Sequence, residues 1–325
     1  MKNPNIYVTR KIPDYLLTPY RKKFNFHMWE KADTPVPKDV LYEESLKVDG
    51  ILCLLTESID YAFLQHAKHL KIIANMAVGF DNVDVAAAEE FSITVTNTPD
   101  VLTETTADLA FALLMATARR LVESSQIIYN DGWDEWSPFH LAGTDIFGKT
   151  IGIVGMGRIG TAVARRAKGF NMNVLYHNRS RNEQAEKEVS ATYESFESLL
   201  EKSDFVVSLL PLSETTEKIF NHEAFDKMKE TAIFINASRG GVVDEEALFN
   251  VLKMKRIKAA GLDVFAKEPI NTTHPFTTLE NVVLTPHIGS STKETREKML
   301  TLCLDNIERM FYGDGPLTPI TTWQK

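Results

Sequence analysis

An arginine, two carboxylates and a histidine stand where three apolar runs end in the last third of this 325-residue chain. Ile235-Asn236-Ala237-Ser238-Arg239-Gly240-Gly241 pushes the arginine out of a turn of small residues. Gly261-Leu262-Asp263-Val264-Phe265-Ala266-Lys267-Glu268-Pro269 brings two acids before a proline, and Leu284-Thr285-Pro286-His287-Ile288-Gly289 carries the histidine. A guanidinium holds anions through a planar fork, and an imidazole exchanges protons near neutral pH. Singly, each has an ordinary structural explanation: a surface arginine, a carboxylate capping a neighbouring helix, a core histidine satisfied by backbone. Upstream, Thr150-Ile151-Gly152-Ile153-Val154-Gly155-Met156-Gly157-Arg158-Ile159-Gly160 is an apolar strand running into G-x-G-x-x-G, and a helical pattern follows it. In that context the motif reads as a dinucleotide site. Gly155 allows the tight turn, Gly157 the close approach of backbone to a pyrophosphate, and Gly160 the packing of helix on strand. Arg158 and Ile159 then fall at the pyrophosphate, where the helix N-terminus offers N–H groups. Packing alone does not explain three chemically capable strand ends beside a dinucleotide.

The elements that must position these groups read as two α/β units. In the first, short apolar runs at 6–8, 50–55, 71–74 and 93–95 alternate with helical patterns, which predicts a small parallel sheet. A long helix follows Thr98-Pro99-Asp100, because Leu102, Thr106, Leu109, Ala110, Leu113, Leu114 and Thr117 recur at helical spacing. It reads as the hinge between the units. Residues 130–149 hold Trp133, Trp136 and Phe139 with no clear period, too aromatic for a plain linker. Strands at 151–154, 174–176, 205–209, 232–235, 259–262 and 282–284 then predict a complete doubly wound sheet. An open sheet of this kind takes its ligands at the C-terminal strand ends, where Arg239, Asp263 and His287 fall. A final helix at 293–311 has no strand after it in this reading.

The end of the second strand in that sheet narrows the dinucleotide. A carboxylate there would accept hydrogen bonds from the ribose hydroxyls of NAD and repel the 2′-phosphate of NADP. The chain has His177-Asn178-Arg179-Ser180-Arg181 instead. Asn178 is neutral, Arg179 and Arg181 can pair with a phosphate, and Ser180 can donate to it. NADP(H) is therefore expected over NAD(H), with a solvated basic turn as the competing explanation. A formal net charge of −8 and a pI near 5.6 argue against nucleic acid or an anionic membrane as partner. No apolar stretch approaches the ~18 residues of a membrane span and no apolar leader is read at the N-terminus, so a cytoplasmic location is expected. Cys53 and Cys303 read as buried thiols rather than a bridge, and no metal site is expected.

Gly155-Met156-Gly157-Arg158-Ile159-Gly160, Asn236-Ala237-Ser238-Arg239-Gly240, Gly261-Leu262-Asp263-Val264-Phe265 with Glu268-Pro269, and Pro286-His287-Ile288-Gly289 come in a telling order. Together they resemble the D-isomer-specific 2-hydroxyacid dehydrogenases, most closely their glyoxylate/hydroxypyruvate reductase branch. The resemblance implies two doubly wound α/β domains. One is a Rossmann dinucleotide-binding domain over 102–287, and the other a smaller flavodoxin-like substrate domain made of 1–101 and 288–325. It implies that Arg239 binds the carboxylate and keto oxygen of a 2-oxo acid, that His287 is the acid/base, and that Glu268 orients that ring and favours its charged form. Val78 and Gly79, in Ala77-Val78-Gly79-Phe80-Asp81-Asn82-Val83-Asp84, match the loop whose backbone N–H groups hold the carboxylate. Ala237, Asp263 and Gly289 are implied at the cofactor, Asp263 near the nicotinamide, and Leu210-Pro211 resembles the pair that covers the adenosine half. Leu55, Met76 and Trp136 are candidates for the pocket's far wall. In the family a neighbouring subunit's aromatic arm can reach the site, which suits residues 133–139 and makes a homodimer the expected assembly.

The expected reaction reduces a small 2-oxo acid such as glyoxylate or hydroxypyruvate to the D-2-hydroxy acid with NADPH or NADH. Alternatives are a 2-ketogluconate reductase, or a 3-phosphoglycerate dehydrogenase, for whose extra regulatory domain little chain remains after Phe311. A formate dehydrogenase fits less well on length and on the loop at Val78 and Gly79. A non-catalytic, nucleotide-sensing co-repressor scaffold of the same fold is the alternative from another class.

Overall fold

Short runs of aliphatic and β-branched residues, bounded by small or polar turns, become strands that bury both faces under helices. In the computed structural model, which describes residues 2–320, the strands of the N-terminal part are β1 (Asn5–Val8), β2 (Asn25–Met28), β3 (Gly50–Cys53), β4 (Ile72–Asn75) and β5 (Thr94–Thr96). They are followed by β6 (Thr150–Val154), β7 (Asn173–His177), β8 (Thr192–Tyr193), β9 (Phe205–Ser208), β10 (Ile233–Asn236), β11 (Ala259–Leu262), β12 (Val282–Leu284) and β13 (Pro319–Ile320). The chain divides into two compact units, Met1–Leu102 with Thr292–Lys325, and Thr103–Ser291.

In the first unit the sheet order is β13-β5-β4-β3-β1-β2. The strands from β5 to β2 are parallel, whereas β13 runs antiparallel to β5. The predicted strands form, and two others join them. β2 is an edge strand, Asn-Phe-His-Met, too polar to read as a buried run. β13 corrects the expectation that no strand follows the final helix, which spans Lys293–Tyr312. Two residues show no period, and their pairing with Val95 and Thr96 depends on contacts far away in sequence.

In the second unit seven parallel strands take the order β12-β11-β10-β9-β6-β7-β8. The six predicted strands are present, and β8 adds a two-residue edge through Leu175↔Thr192 and Tyr176↔Tyr193. Because β6 pairs with both β7 and β9, the strand order reverses there, at the point where such sheets bind ligands. The helix expected as a hinge, Thr103–Ala118, is a core helix of this unit, with Ala107 and Leu114 fully buried. It lies so close over β11 that a Cβ on Gly261 would stand 2.6 Å from Thr117 Oγ1. Residues 131–149 form neither helix nor strand, and Trp133, Trp136 and Phe139 are 59%, 75% and 87% exposed. Among the described residues no helix is long and apolar enough to cross a membrane. Cys53 and Cys303 are buried and unbridged.

Candidate active site

Parallel strands bring their C-terminal ends to one edge, and along that edge of the second sheet stand the turns after β6, β7, β9, β10, β11 and β12. After β6, Gly155 has φ +107, and a Cβ there would lie 2.7 Å from Leu209 O, so both backbone angle and space demand glycine. A Cβ on Gly160 would meet Gly155 O at 2.3 Å, the close approach of helix Arg158–Gly169 to its strand. Around Gly157 the opposite holds: nothing lies within 4 Å of a Cβ, and no side chain caps the helix. This open helix N-terminus fits the pyrophosphate of a nicotinamide dinucleotide, with Arg158 and Ile159 in its first turn.

The turn after β7 supports this loop. Asn178 Oδ1 accepts from Met156 N at 2.7 Å, and Asn182 Nδ2 donates to Met156 O at 2.9 Å, so the middle residue of G-x-G is pinned on both sides. Arg181 departs from the expected phosphate-pairing role. Glu186 takes its guanidinium in two bonds, of 3.0 and 2.7 Å, and accepts from the Tyr176 hydroxyl at 2.5 Å. The bonds from Arg181 and Tyr176 pull the Glu186 carboxyl down to about 2. Arg179 and Ser180 are exposed, with no protein partner among the described residues. Leu210 is half-buried after β9 and Pro211 is exposed.

The turns after β10 and β11 are locked to each other. Asn236, fully buried at the end of β10, donates to Arg239 O at 2.9 Å and accepts from Ser238 N and Oγ, which shapes the turn that presents Arg239. Ala237 is buried beneath it. Gly240 packs directly on Phe265, where a Cβ would fall 1.8 Å from the carbonyl carbon. Phe265 N donates in turn to Glu268 Oε1 at 3.0 Å, and Glu268 Oε2 accepts from His287 Nδ1–H at 2.7 Å. Burial pushes the Glu268 carboxyl up. The bond and charge of His287, the Phe265 N–H and the Arg239 charge outweigh that and hold it below its ordinary 4.5. With Nδ1 engaged, Nε2 is the ring nitrogen left for chemistry.

The resemblance puts Asp263 at the cofactor, and in the structure its carboxylate holds the turn that carries the histidine. Asp263 is 1% exposed, and its oxygens accept from Thr285 Oγ1 (2.7 Å), Ile288 N and Gly289 N (both 2.9 Å). Its carbonyl takes His287 N at 2.9 Å. These bonds fix the turn in which His287 adopts φ +52, a left-handed conformation uncommon outside glycine. Desolvation raises the Asp263 pKa. Asp263 and Gly289 are thus joined in the turn that presents His287. The same bonds hold residues 288 and 289 in the second unit, whose segment runs to Ser291.

Val78 and Gly79 stand at the C-terminal edge of the first unit's sheet, after β4. Three successive carbonyls of this loop are occupied. Ala77 O accepts from Thr98 N (2.8 Å), Val78 O from Asn97 Nδ2 (2.8 Å) and Gly79 O from Asn75 Nδ2 (3.2 Å). The N–H groups of Val78 and Gly79 meet no protein acceptor among the described residues, which is the make-up of a backbone anion site. Met76, beside them, is buried. Sequence reasoning did not find Asn75, Asn97 or Asn182, because an asparagine in a turn carries no periodic signal.

Known proteins resemble this chain in sequence and in fold. Residues 111–289 match a family model described as D-isomer specific 2-hydroxyacid dehydrogenase, NAD binding domain. The glyoxylate reductase of Korarchaeum cryptofilum is 47% identical over 96% of this chain and 94% of its own. A solved structure from Thermus thermophilus superposes with a TM-score of 0.91 at 39% identity, covering 98% of this chain and 100% of that one. The NADPH-dependent glyoxylate/hydroxypyruvate reductase of Sinorhizobium meliloti, solved with NADP and malonate, gives 0.84 at 34% identity, covering 98% and 97%. With a glycine loop fit for a nicotinamide dinucleotide and this degree of likeness, the chain belongs to the D-isomer specific 2-hydroxyacid dehydrogenases.

Proposed function

We propose that this dehydrogenase reduces glyoxylate or hydroxypyruvate, that NADPH is its preferred donor with NADH second, and that it acts as a homodimer. The pairing of His287 with Glu268, beside Arg239 and at the same sheet edge as the open glycine loop, carries the reading. Gly155, Gly157, Arg158, Ile159 and Gly160 would hold the pyrophosphate, Leu210 and Pro211 the adenosine half, and Ala237 the neighbourhood of the nicotinamide. The bound dinucleotide supplies the hydride. As C2 is reduced, negative charge grows on the carbonyl oxygen, and Arg239 neutralises it. His287 donates the proton from Nε2, and Glu268 fixes the ring through its bond to Nδ1. The N–H groups of Val78 and Gly79 hold the substrate carboxylate.

The cofactor preference rests on Arg179 and Ser180, exposed and without a protein partner, with no carboxylate at Asn178 to repel a 2′-phosphate. The likeness to an NADPH-dependent relative solved with NADP points the same way. The test is a rate panel of glyoxylate, hydroxypyruvate, pyruvate and 2-ketogluconate with each nicotinamide. Highest kcat/KM is expected for the first two with NADPH. Arg179→Ala should raise the NADPH KM about tenfold to a hundredfold and spare NADH. A wild-type preference for NADH overturns the cofactor assignment, and no turnover of any 2-oxo acid overturns the activity.

A further inference from the structure

We infer that the C-terminal segment of the chain sets the carboxylate-binding loop, with Asn97, Thr318 and Asn306 as positioning residues. The inference rests on the reading that Val78 and Gly79 hold the substrate carboxylate. Loop N–H groups bind an anion only if the peptide planes are turned so that the carbonyls point away and stay there. Of the three carbonyls here, that of Val78 is turned by a side chain lent from β5's exit: Asn97 Nδ2 donates to it at 2.8 Å. Asn97 is itself tied at both backbone ends to Thr318, its N–H donating to Thr318 O (3.3 Å) and its carbonyl accepting from Thr318 Oγ1 (2.7 Å). Thr318 is fixed by Asn306, fully buried in the helix Lys293–Tyr312.

Every polar atom of the Asn306 amide is spent on this task. Oδ1 accepts from Leu317 N (2.7 Å) and Thr318 N (3.0 Å), while Nδ2 donates to Thr318 Oγ1 and to Leu302 O (both 2.9 Å). A buried asparagine beside Met299, Leu300, Cys303, Leu304 and Ile307 on this helix costs stability unless its amide is hydrogen-bonded. The relay Asn306, Thr318, Asn97, Val78 draws on those bonds. It carries order from the last helix to the loop, across 221 residues between Asn97 and Thr318.

Asn97→Ala lets the Val78 carbonyl turn and the nest collapse, and Thr318→Val removes the hydroxyl between Asn97 and Asn306 with little change of shape. Because the carboxylate is held equally in ground and transition states, the loss falls on KM. KM for glyoxylate should rise about tenfold in Asn97→Ala and about threefold in Thr318→Val, with kcat within twofold and NADPH affinity unchanged. Asn97→Asp, the same shape without the donor, should resemble Asn97→Ala. If Asn97→Ala does not fold, Thr318→Val still decides. Unchanged KM in the folded variants, or a fall in active fraction without a change in KM, shows these residues to be merely structural and overturns the inference. A wild type that turns over no 2-oxo acid overturns the functional reading first, and the clamp falls with it.

Discussion

His287 and Glu268 form a pair whose effect can be separated into position and charge. His287→Ala removes the proton donor, and kcat for reduction should fall by roughly 10²–10⁴ while NADPH affinity holds. A kcat that barely moves would mean that another group supplies the proton. Glu268→Gln keeps the shape and removes the charge. The amide can still accept from Nδ1–H and hold the ring, so kcat for reduction should fall by less than in His287→Ala. Rates of the two variants measured side by side check this, and equal losses would show that the charge of Glu268, not its position, serves the histidine. Glu268 itself is held below its ordinary 4.5, so its contribution to stability is complete above that value and lost as pH falls through the lower folded one. Wild type and Glu268→Gln should accordingly converge in Tm in acid. Arg239→Lys offers a point charge in place of a fork, and kcat/KM should fall by about 2–5 kcal/mol, with cofactor fluorescence titrations unchanged. Turnover within a few-fold of wild type would make Arg239 a turn residue only.

At the scale of elements, the glycines of the two site turns make opposite predictions. A Cβ on Gly240 would overlap the backbone of Phe265, whose N–H orders Glu268, so Gly240→Ala must drive the turn after β10 away from the turn after β11. Stability should fall by about 3 kcal/mol, the upper end for overpacking, and kcat/KM should fall as Arg239 and Glu268 separate. A Cβ on Gly157 meets nothing within 4 Å, so Gly157→Ala should leave Tm in place yet weaken NADPH by crowding the pyrophosphate. Thermal melts with cofactor titrations separate the two; equal effects on Tm would refute the distinction. These turns were legible in the sequence because each follows an apolar run long enough to be seen as a strand. β8 and β13, of two residues each, were not, since nothing local distinguishes them from coil. Asp263 was legible as a chemically capable strand end, but its task was not: the N–H groups it holds lie 25 and 26 residues away, a proximity that only the fold creates. The engagement of Arg181 was hidden for a related reason, since its partner Glu186 is fixed by the hydroxyl of Tyr176, ten residues away, a contact that only the fold creates.

At the scale of the whole molecule, exposed apolar surface concentrates on one stretch. Ile128, Tyr129, Trp133, Trp136, Phe139 and Phe147 are all exposed, in a segment of 121–147 that begins with the helix Leu121–Tyr129 and continues without regular structure. Monomeric proteins seldom keep so many large apolar side chains in contact with water unless something covers them, and aromatics are the residues that interfaces enrich. A second copy of the chain is the occupant proposed above, and the sequence already set residues 130–149 apart as too aromatic for a plain linker. Light scattering at micromolar concentration should then give twice 36.7 kDa. Anchoring aromatics at an interface contribute about 2 kcal/mol or more each, so Tyr129→Ser with Trp136→Ser should weaken association by several hundredfold or more and release monomers. The altered side chains are exposed in the single chain, so each protomer should keep its far-ultraviolet circular dichroism. A wild type that scatters as a single chain would remove the dimer, and the aromatic stretch would then need another partner.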